Sequence, residues 1–232
     1  MNLPSYDSIA QIYEVLEDPK GYYIVMEKVD GADLFETVSG KGLIPVDEVR
    51  EVMRQLLAAL RTLHERGCVH RDLKLENVMF ARTGPESPKW RQTDSPATPV
   101  AVKLIDFDTV EAWEPASPKR TKDVLGTDQY IAQEAYGGVY SPASDIFAAG
   151  VIAFKLLTGK FPFDKAMFND GPGENWVGSP KMKAIQKKLC DFRINWGYQV
   201  FKENPQAPGG PQAMSLVRWM LSVDEGQRPT AE

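Results

Sequence analysis

The chain has 232 residues with 27 Lys+Arg against 32 Asp+Glu, so its net charge of −5 and pI of about 5.3 exclude a generic basic nucleic-acid binder. With 43% hydrophobic and 25% charged residues it can bury a core, which excludes a disordered or fibrous chain and suits one domain or part of one. Two cysteines, Cys68 and Cys190, and two histidines exclude a disulfide framework and a Cys/His zinc site. The start carries no basic segment followed by an apolar run, and no apolar stretch reaches membrane length. A soluble protein of a reducing compartment follows as the expectation, cytoplasmic with the nucleus equally compatible.

Residues 9–16 (IAQIYEVL) and 22–27 (YYIVME) are short β-rich runs joined by the turn residues 17–21 (EDPKG), a predicted hairpin. After Asp30-Gly31 a short helical piece covers 33–38, and Pro45 opens a longer helix at a position where its missing N–H is harmless. There Val49, Val52, Met53, Leu56, Leu57, Leu60 and Leu63 recur at three- and four-residue steps, and Gly67 suits a left-handed stop. A loop over 69–77 precedes two predicted strands, 78–81 and 100–105. Between them 82–99 carries four prolines and little that could be buried, the pattern of a surface insertion. Residues 106–138 read as irregular. Ser141-Pro142 then form an N-cap and first turn for a helix over 143–158, apolar nearly all round and so predicted to be buried, closed by Gly159. A Gly/Pro-rich loop over 169–178 and helices over 180–192 and 211–222 complete the pattern.

Residues 70–77 (HRDLKLEN) form an ordered polar octet between a helix and a strand. Phosphoryl transfer needs an acceptor for the attacking hydroxyl's proton, a cation near the moving group and an oxygen ligand for magnesium. Asp72, Lys74 and Asn77 supply these in order, and Asp106 places a second carboxylate at the end of an apolar strand. Two oxygen ligands without a thiolate suit Mg. An ordinary polar loop is the bland alternative, and Lys74 or Asn77 alone would be a solvated surface group.

The octet resembles the catalytic loop of eukaryotic protein kinases, His-Arg-Asp followed by Leu, three variable positions and Asn, and Lys two places after Asp is similar to the Ser/Thr branch. Gly126-Thr127, Ala132-Gln133-Glu134, Ser144-Asp145 with Gly150, and Arg228-Pro229 continue the resemblance in the family's order. It implies an α+β protein kinase-like fold: mostly the α-helical large lobe (30–232), preceded by the last two strands of the small lobe and the hinge (1–29). The implied activity is transfer of the ATP γ-phosphoryl group to Ser/Thr hydroxyls of a protein substrate, with ATP and Mg as cofactors and neither nucleic acid nor membrane as partner. Met26 then resembles the gatekeeper, Glu27 to Val29 the adenine-binding hinge, Asp33 the ribose contact and Met79 the floor of the adenine pocket. Asp72 would be the base, Lys74 would steady the phosphoryl group, Glu76 would offer a backbone contact, and Asn77 and Asp106 would hold Mg. Asp145 would brace the catalytic loop, Glu134 would pair with Arg228, and Thr127 would lie before the peptide-binding segment.

The chain also departs from the family pattern. The resemblance leaves no room before the first hairpin strand for a Gly-rich phosphate loop, the lysine strand or its partner helix, so a fragment of a kinase domain is the expectation. Positioning supplies ~7–11 kcal/mol of such a barrier and a general base about 3–5.5 kcal/mol, so this chain by itself is expected to phosphorylate poorly. The alternative is a noncatalytic pseudokinase or scaffold. Asp106-Phe107-Asp108 has Asp where the family has Gly, and residues 126–128 (GTD) and 132–134 (AQE) each lack a proline. Arg71 beside the base calls for an anion, and the candidate partner is Asp123, at the position the family phosphorylates, with a merely solvated loop acid as the bland alternative. Thr121 in 118–122 (PKRTK) is the competing phosphosite, and Ser87, Ser95 and Ser117 each precede proline. Cys68 and Cys190 are expected to be buried thiols.

Overall fold

A computed structural model describes residues 8–41, 43–81, 101–117, 119–168, 174–203 and 209–232. The expected insertion 82–99, with Ser87 and Ser95, lies outside the described residues, as do Pro118 and residues 169–173 of the Gly/Pro-rich loop.

The predicted hairpin forms as β1 (Ile12–Asp18) and β2 (Gly21–Met26), antiparallel with Asp18 opposite Gly21 and Ile12 opposite Met26. Asp18 tightens the turn by accepting from Lys20 N and Gly21 N at 2.7 and 3.0 Å. α1 (Leu34–Lys41) follows, with Asp33 Oδ1 accepting from Glu36 N at 2.7 Å, the N-cap geometry its residue type favours. α2 (Val46–His64) starts directly after Pro45 and buries Val49, Val52, Met53, Leu56, Ala59 and Leu60 on one stripe.

β3 (Cys68–Val69), β4 (Val78–Ala81), β5 (Ala101–Leu104) and β6 (Glu111–Ala112) make two further antiparallel pairs, β3 with β6 and β4 with β5. Residues 106–138 are therefore more ordered than their irregular composition suggests, because β6 takes its hydrogen bonds from β3, far away in sequence.

α3 (Pro142–Thr158) is the hub. Every residue from 144 to 154 is buried, as the all-round apolar pattern requires, and α2 and α5 (Gly210–Met220) pack against it. Ser141 and Ser144 close a reciprocal capping box, and Gly159 ends the helix at φ 72°. Gly150 is where α5 comes closest: a Cβ there would lie 2.8 Å from Met220 Cβ. α4 (Pro180–Asp191) packs over the 3-10 turn Gln133–Gly137 through Met182, Ile185 and Leu189. The thiols depart from expectation. Cys190 is exposed and Cys68 half-buried, since Cys190 follows Leu189 around α4 onto the outward face. Among the described residues, no helix is long and apolar enough to cross a membrane.

Candidate active site

The polar octet, residues 70–77, hangs from α3. Asp145, only 1% exposed, accepts from His70 N at 2.9 Å and Arg71 N at 3.0 Å, and its Oδ2 lies 2.9 Å from His64 Nε2. Two backbone donors that α2 and β3 cannot serve are satisfied by one buried carboxylate, which lets Arg71 adopt φ 72°. Thr109 closes the loop from the other side, donating from Oγ1 to His70 O at 2.7 Å while its carbonyl accepts from Arg71 Nε at 2.5 Å. The His70 ring is wholly buried beside the Phe107 ring, 5.7 Å between centroids.

With the backbone held this way, Asp72 faces two donors. Thr127 Oγ1 donates to Oδ1 at 2.7 Å and Lys74 Nζ to Oδ2 at 2.9 Å, while Lys74 Nζ also reaches Thr127 Oγ1 at 3.2 Å. The three predicted residues form one triangle. Burial opposes the charge on Lys74, but the hydrogen bond and charge of Asp72, with Glu76 and Asp106 nearby, hold its ammonium pKa above the ordinary value. Asn77 is buried and donates from Nδ2 to Asp72 O at 2.9 Å, which leaves its Oδ1 as the free acceptor. Asp106 sits one residue past Ile105, whose N–H is held by Asn77 O at 2.9 Å, and takes φ 62°. Asn77 and Asp106 therefore belong to one backbone unit at the β4–β5 end. Asp108 is exposed, and unlike Asp106 it has no positive φ, so the residue type where the family has Gly strains nothing.

Donor chemistry suits Mg: carboxylate and amide oxygens, and no cluster of three or more His, Cys, Asp or Glu able to cage a metal among the described residues. Magnesium keeps water and phosphate oxygens around a small number of protein ligands, so a sparse oxygen set fits it.

The expected nucleotide-contacting residues lie at the end of β2, in the stretch that follows it and on β4. Met26 ends β2, partly exposed, and residues 27–30 run on without helix or strand. Glu27 is braced rather than free. Its N–H donates to Gln11 O at 2.7 Å and its carboxylate takes Lys103 Nζ at 2.7 Å and Gln11 N at 3.1 Å. Val29 is half-buried, and Asp33 and Met79 form an isolated antiparallel bridge that ties the end of the 27–33 stretch to β4. Asp33 spends one carboxylate oxygen on the α1 cap. Glu76 is half-buried, with one carboxylate oxygen, Oε2, buried and unpartnered.

Glu134 and Arg228 meet in a bidentate pair at 2.7 and 2.9 Å, with the Arg228 side chain fully buried. Arg228 also donates to Ser222 O and Ala143 O, both at 2.9 Å, and Ser144 Oγ donates to Glu134 at 2.8 Å.

The anion for Arg71 is a correction. Arg71 Nη1 lies 3.5 Å from Glu111 Oε2, and no pair forms with Asp123. The reason is register: β6 places Glu111 opposite Val69, two residues before Arg71, whereas Asp123 bridges to Trp176. Thr121 is half-buried with its hydroxyl oxygen wholly buried. Sequence reasoning missed His64, Thr109, Glu111 and Tyr140. His64 left a trace, as the first of the two histidines, six residues before His70. Glu111 left none, because only strand pairing brings it to Arg71.

The full chain, residues 1–232, matches the sequence profile of the protein kinase domain. The chain belongs to the protein kinase family. It is 30% identical over 226 residues to calcium-dependent protein kinase 22 of Oryza sativa subsp. japonica, covering 97% of this chain and 33% of that protein. CDPK-related kinase 1 of Arabidopsis thaliana is 29% identical over 230 residues, 99% of this chain and 34% of that protein. Serine/threonine-protein kinase PrkC of Bacillus subtilis (strain 168) is 33% identical over 160 residues, 68% of this chain and 22% of that protein. The kinase chain thus spans about a third or less of these relatives.

Proposed function

We propose that this kinase domain transfers the γ-phosphoryl group of ATP to Ser or Thr hydroxyls of a protein substrate. The observation that carries the reading is the Asp72–Lys74–Thr127 triangle, with bonds of 2.7 to 3.2 Å. Asp72 keeps free lone pairs on a carboxylate fixed at both oxygens, so an incoming hydroxyl would meet an oriented acceptor for its proton. Lys74 brings a positive charge within reach of the same point, and Thr127 screens one edge. Asn77 Oδ1 and the Asp106 carboxylate would hold Mg, which supplies charge neutralisation of the phosphates when bound. Residues 27–29 and Met79 would receive the adenine and Asp33 the ribose, with residues 1–29 as small-lobe strands and hinge and 30–232 as large lobe. The partners are then ATP and a protein substrate, and the free cysteines suit a cytoplasmic or nuclear setting.

A second reading, a noncatalytic scaffold of the same fold, is favoured by the hairpin: Tyr13, Val15, Leu16, Tyr22, Tyr23, Ile24 and Val25 are all exposed, on both faces of β1–β2. The deciding experiment is transfer of labelled γ-phosphate from Mg-ATP to Ser/Thr peptide pools by this chain and by its Asp72→Asn variant. Transfer that falls by roughly 10²–10⁴-fold in the variant supports the kinase reading. Equal transfer in both would overturn it, and absence of transfer with Mg-ATP binding retained would give the scaffold reading precedence.

A further inference from the structure

Residues 119–124 run as an extended strip between two other segments. On one side Arg120 bridges Val139, and Thr121 N donates to Gly138 O at 3.1 Å. On the other side Asp123 bridges Trp176, Val124 N donates to Asn175 O at 2.8 Å and Val177 N donates to Lys122 O at 2.8 Å. Both contacts are antiparallel, so the strip is the middle member of a short three-stranded arrangement. The fit is close. Gly138 takes φ 78°, and a Cβ on it would lie 2.8 Å from Thr121 O and 3.1 Å from a Val177 methyl.

The same strip is tied to the catalytic loop at its other face. Lys119 Nζ meets Glu111 Oε1 at 2.7 Å, and the other oxygen of Glu111 faces Arg71 Nη1 at 3.5 Å. The Arg71 side chain is 11% exposed and that of Glu111 40%, so the nearly buried guanidinium has a half-open carboxylate as its counter-charge. Beyond the strip, Leu125 is gripped at both backbone groups by the Tyr140 hydroxyl, which accepts from Leu125 N at 2.6 Å and donates to Leu125 O at 2.8 Å. Gly126 then lies against Arg71 O, where a Cβ would come within 2.9 Å, and Thr127 reaches Asp72. The path from strip to Asp72 is continuous.

We propose that residues 119–124 form a strap latched by the chain itself, by residues 138–139 and 174–177 on its two edges and by Glu111 on Arg71, which holds Thr127 against Asp72 without an added phosphate group. A carboxylate encoded in β6 does what a modification would otherwise do. Residues 174–177 hold the strap by two backbone bonds, with the Trp176 side chain exposed. Thr121 is closed to modification while the strap is latched, because its hydroxyl is buried. The proposal concerns the Asp72 site of the previous section, but its test uses neither ATP nor substrate, so a chain without transfer activity leaves the result intact.

The test is amide hydrogen exchange on the unmodified full chain, on Glu111→Gln and on Val177→Pro, with α3 amides as an internal report of folding. In the unmodified chain the Thr121, Val124 and Val177 amides should exchange at least ~10-fold more slowly than free coil. Glu111→Gln keeps the side-chain shape and removes the charge. It should speed exchange at Thr121 and Val124 several-fold while α3 stays protected. Val177→Pro removes one bond and should release Val124 in the same way. Coil-like exchange at Val124 and Val177 in the unmodified chain would overturn the proposal, as would unchanged protection of Thr121 and Val124 in Glu111→Gln.

Discussion

Replacing Arg228 by Met tests how far the large-lobe core depends on one buried charge pair. The Met side chain fills the aliphatic part of the space and removes all four hydrogen bonds that Arg228 makes: two to Glu134, one to Ser222 O and one to Ala143 O. The Glu134 side chain is 14% exposed and keeps the Ser144 hydroxyl, so its charge is left with one neutral donor. Breaking a buried pair from one side costs about 3–5 kcal/mol, and two orphaned carbonyls push the figure to the upper part of that range. At ~2–4 °C per kcal/mol for a chain of this size, about 4–5 kcal/mol should lower Tm by about 8–20 °C. Differential scanning calorimetry and urea unfolding of the same samples would give the two measures. The double variant Glu134→Leu with Arg228→Met should recover most of the loss, because the isolated charge is gone. A single-variant shift below about 2 °C, or a double variant no better than the single, would refute the reasoning.

Gly150→Ala should lower Tm by about 2–12 °C, since its methyl would meet Met220 Cβ at 2.8 Å and the Leu221 side chain at 3.1 Å, and calorimetry would show it. The Glu51 carboxyl pKa is lowered to about 2, first by the hydrogen bond of Arg54, with partial burial opposing and Gln55 assisting. A depressed carboxylate stabilises the fold above its unfolded pKa of about 4.3 and loses that contribution as pH falls toward 2. The Tm difference between the native chain and Glu51→Gln should therefore be present near neutral pH and vanish between about pH 4 and pH 2.

Much of the architecture was legible in the sequence because it depends on neighbours along the chain. The hairpin follows from a turn-forming EDPKG between two β-rich runs, α2 from its three- and four-residue apolar spacing, and α3 from Ser141-Pro142 at one end and Gly159 at the other. The octet's spacing likewise carried the Lys74 and Asn77 bonds to Asp72, since so short a segment brings its own members together once the backbone is held, whereas Thr127 reaches Asp72 from far along the chain. What failed were partnerships between segments. Asp123 was the candidate partner of Arg71 because it falls where the family is phosphorylated, yet Glu111 takes that place through the β3–β6 register. Cys190 was expected inside on its residue type, yet the turn of α4 set it outside.

By itself, then, the sequence determined the longer helices, the hairpin and which short motif can do chemistry, because periodicity, caps and local spacing act over a few residues, while the short β3–β6 pair needed its distant partner. Only the tertiary structure decided which carboxylate neutralises Arg71, where Asp145 spends its two oxygens and how residues 174–177 flank the strap. Each of those contacts joins segments far apart in the chain, and a charge or N–H withdrawn from water takes the partner that the packing brings near.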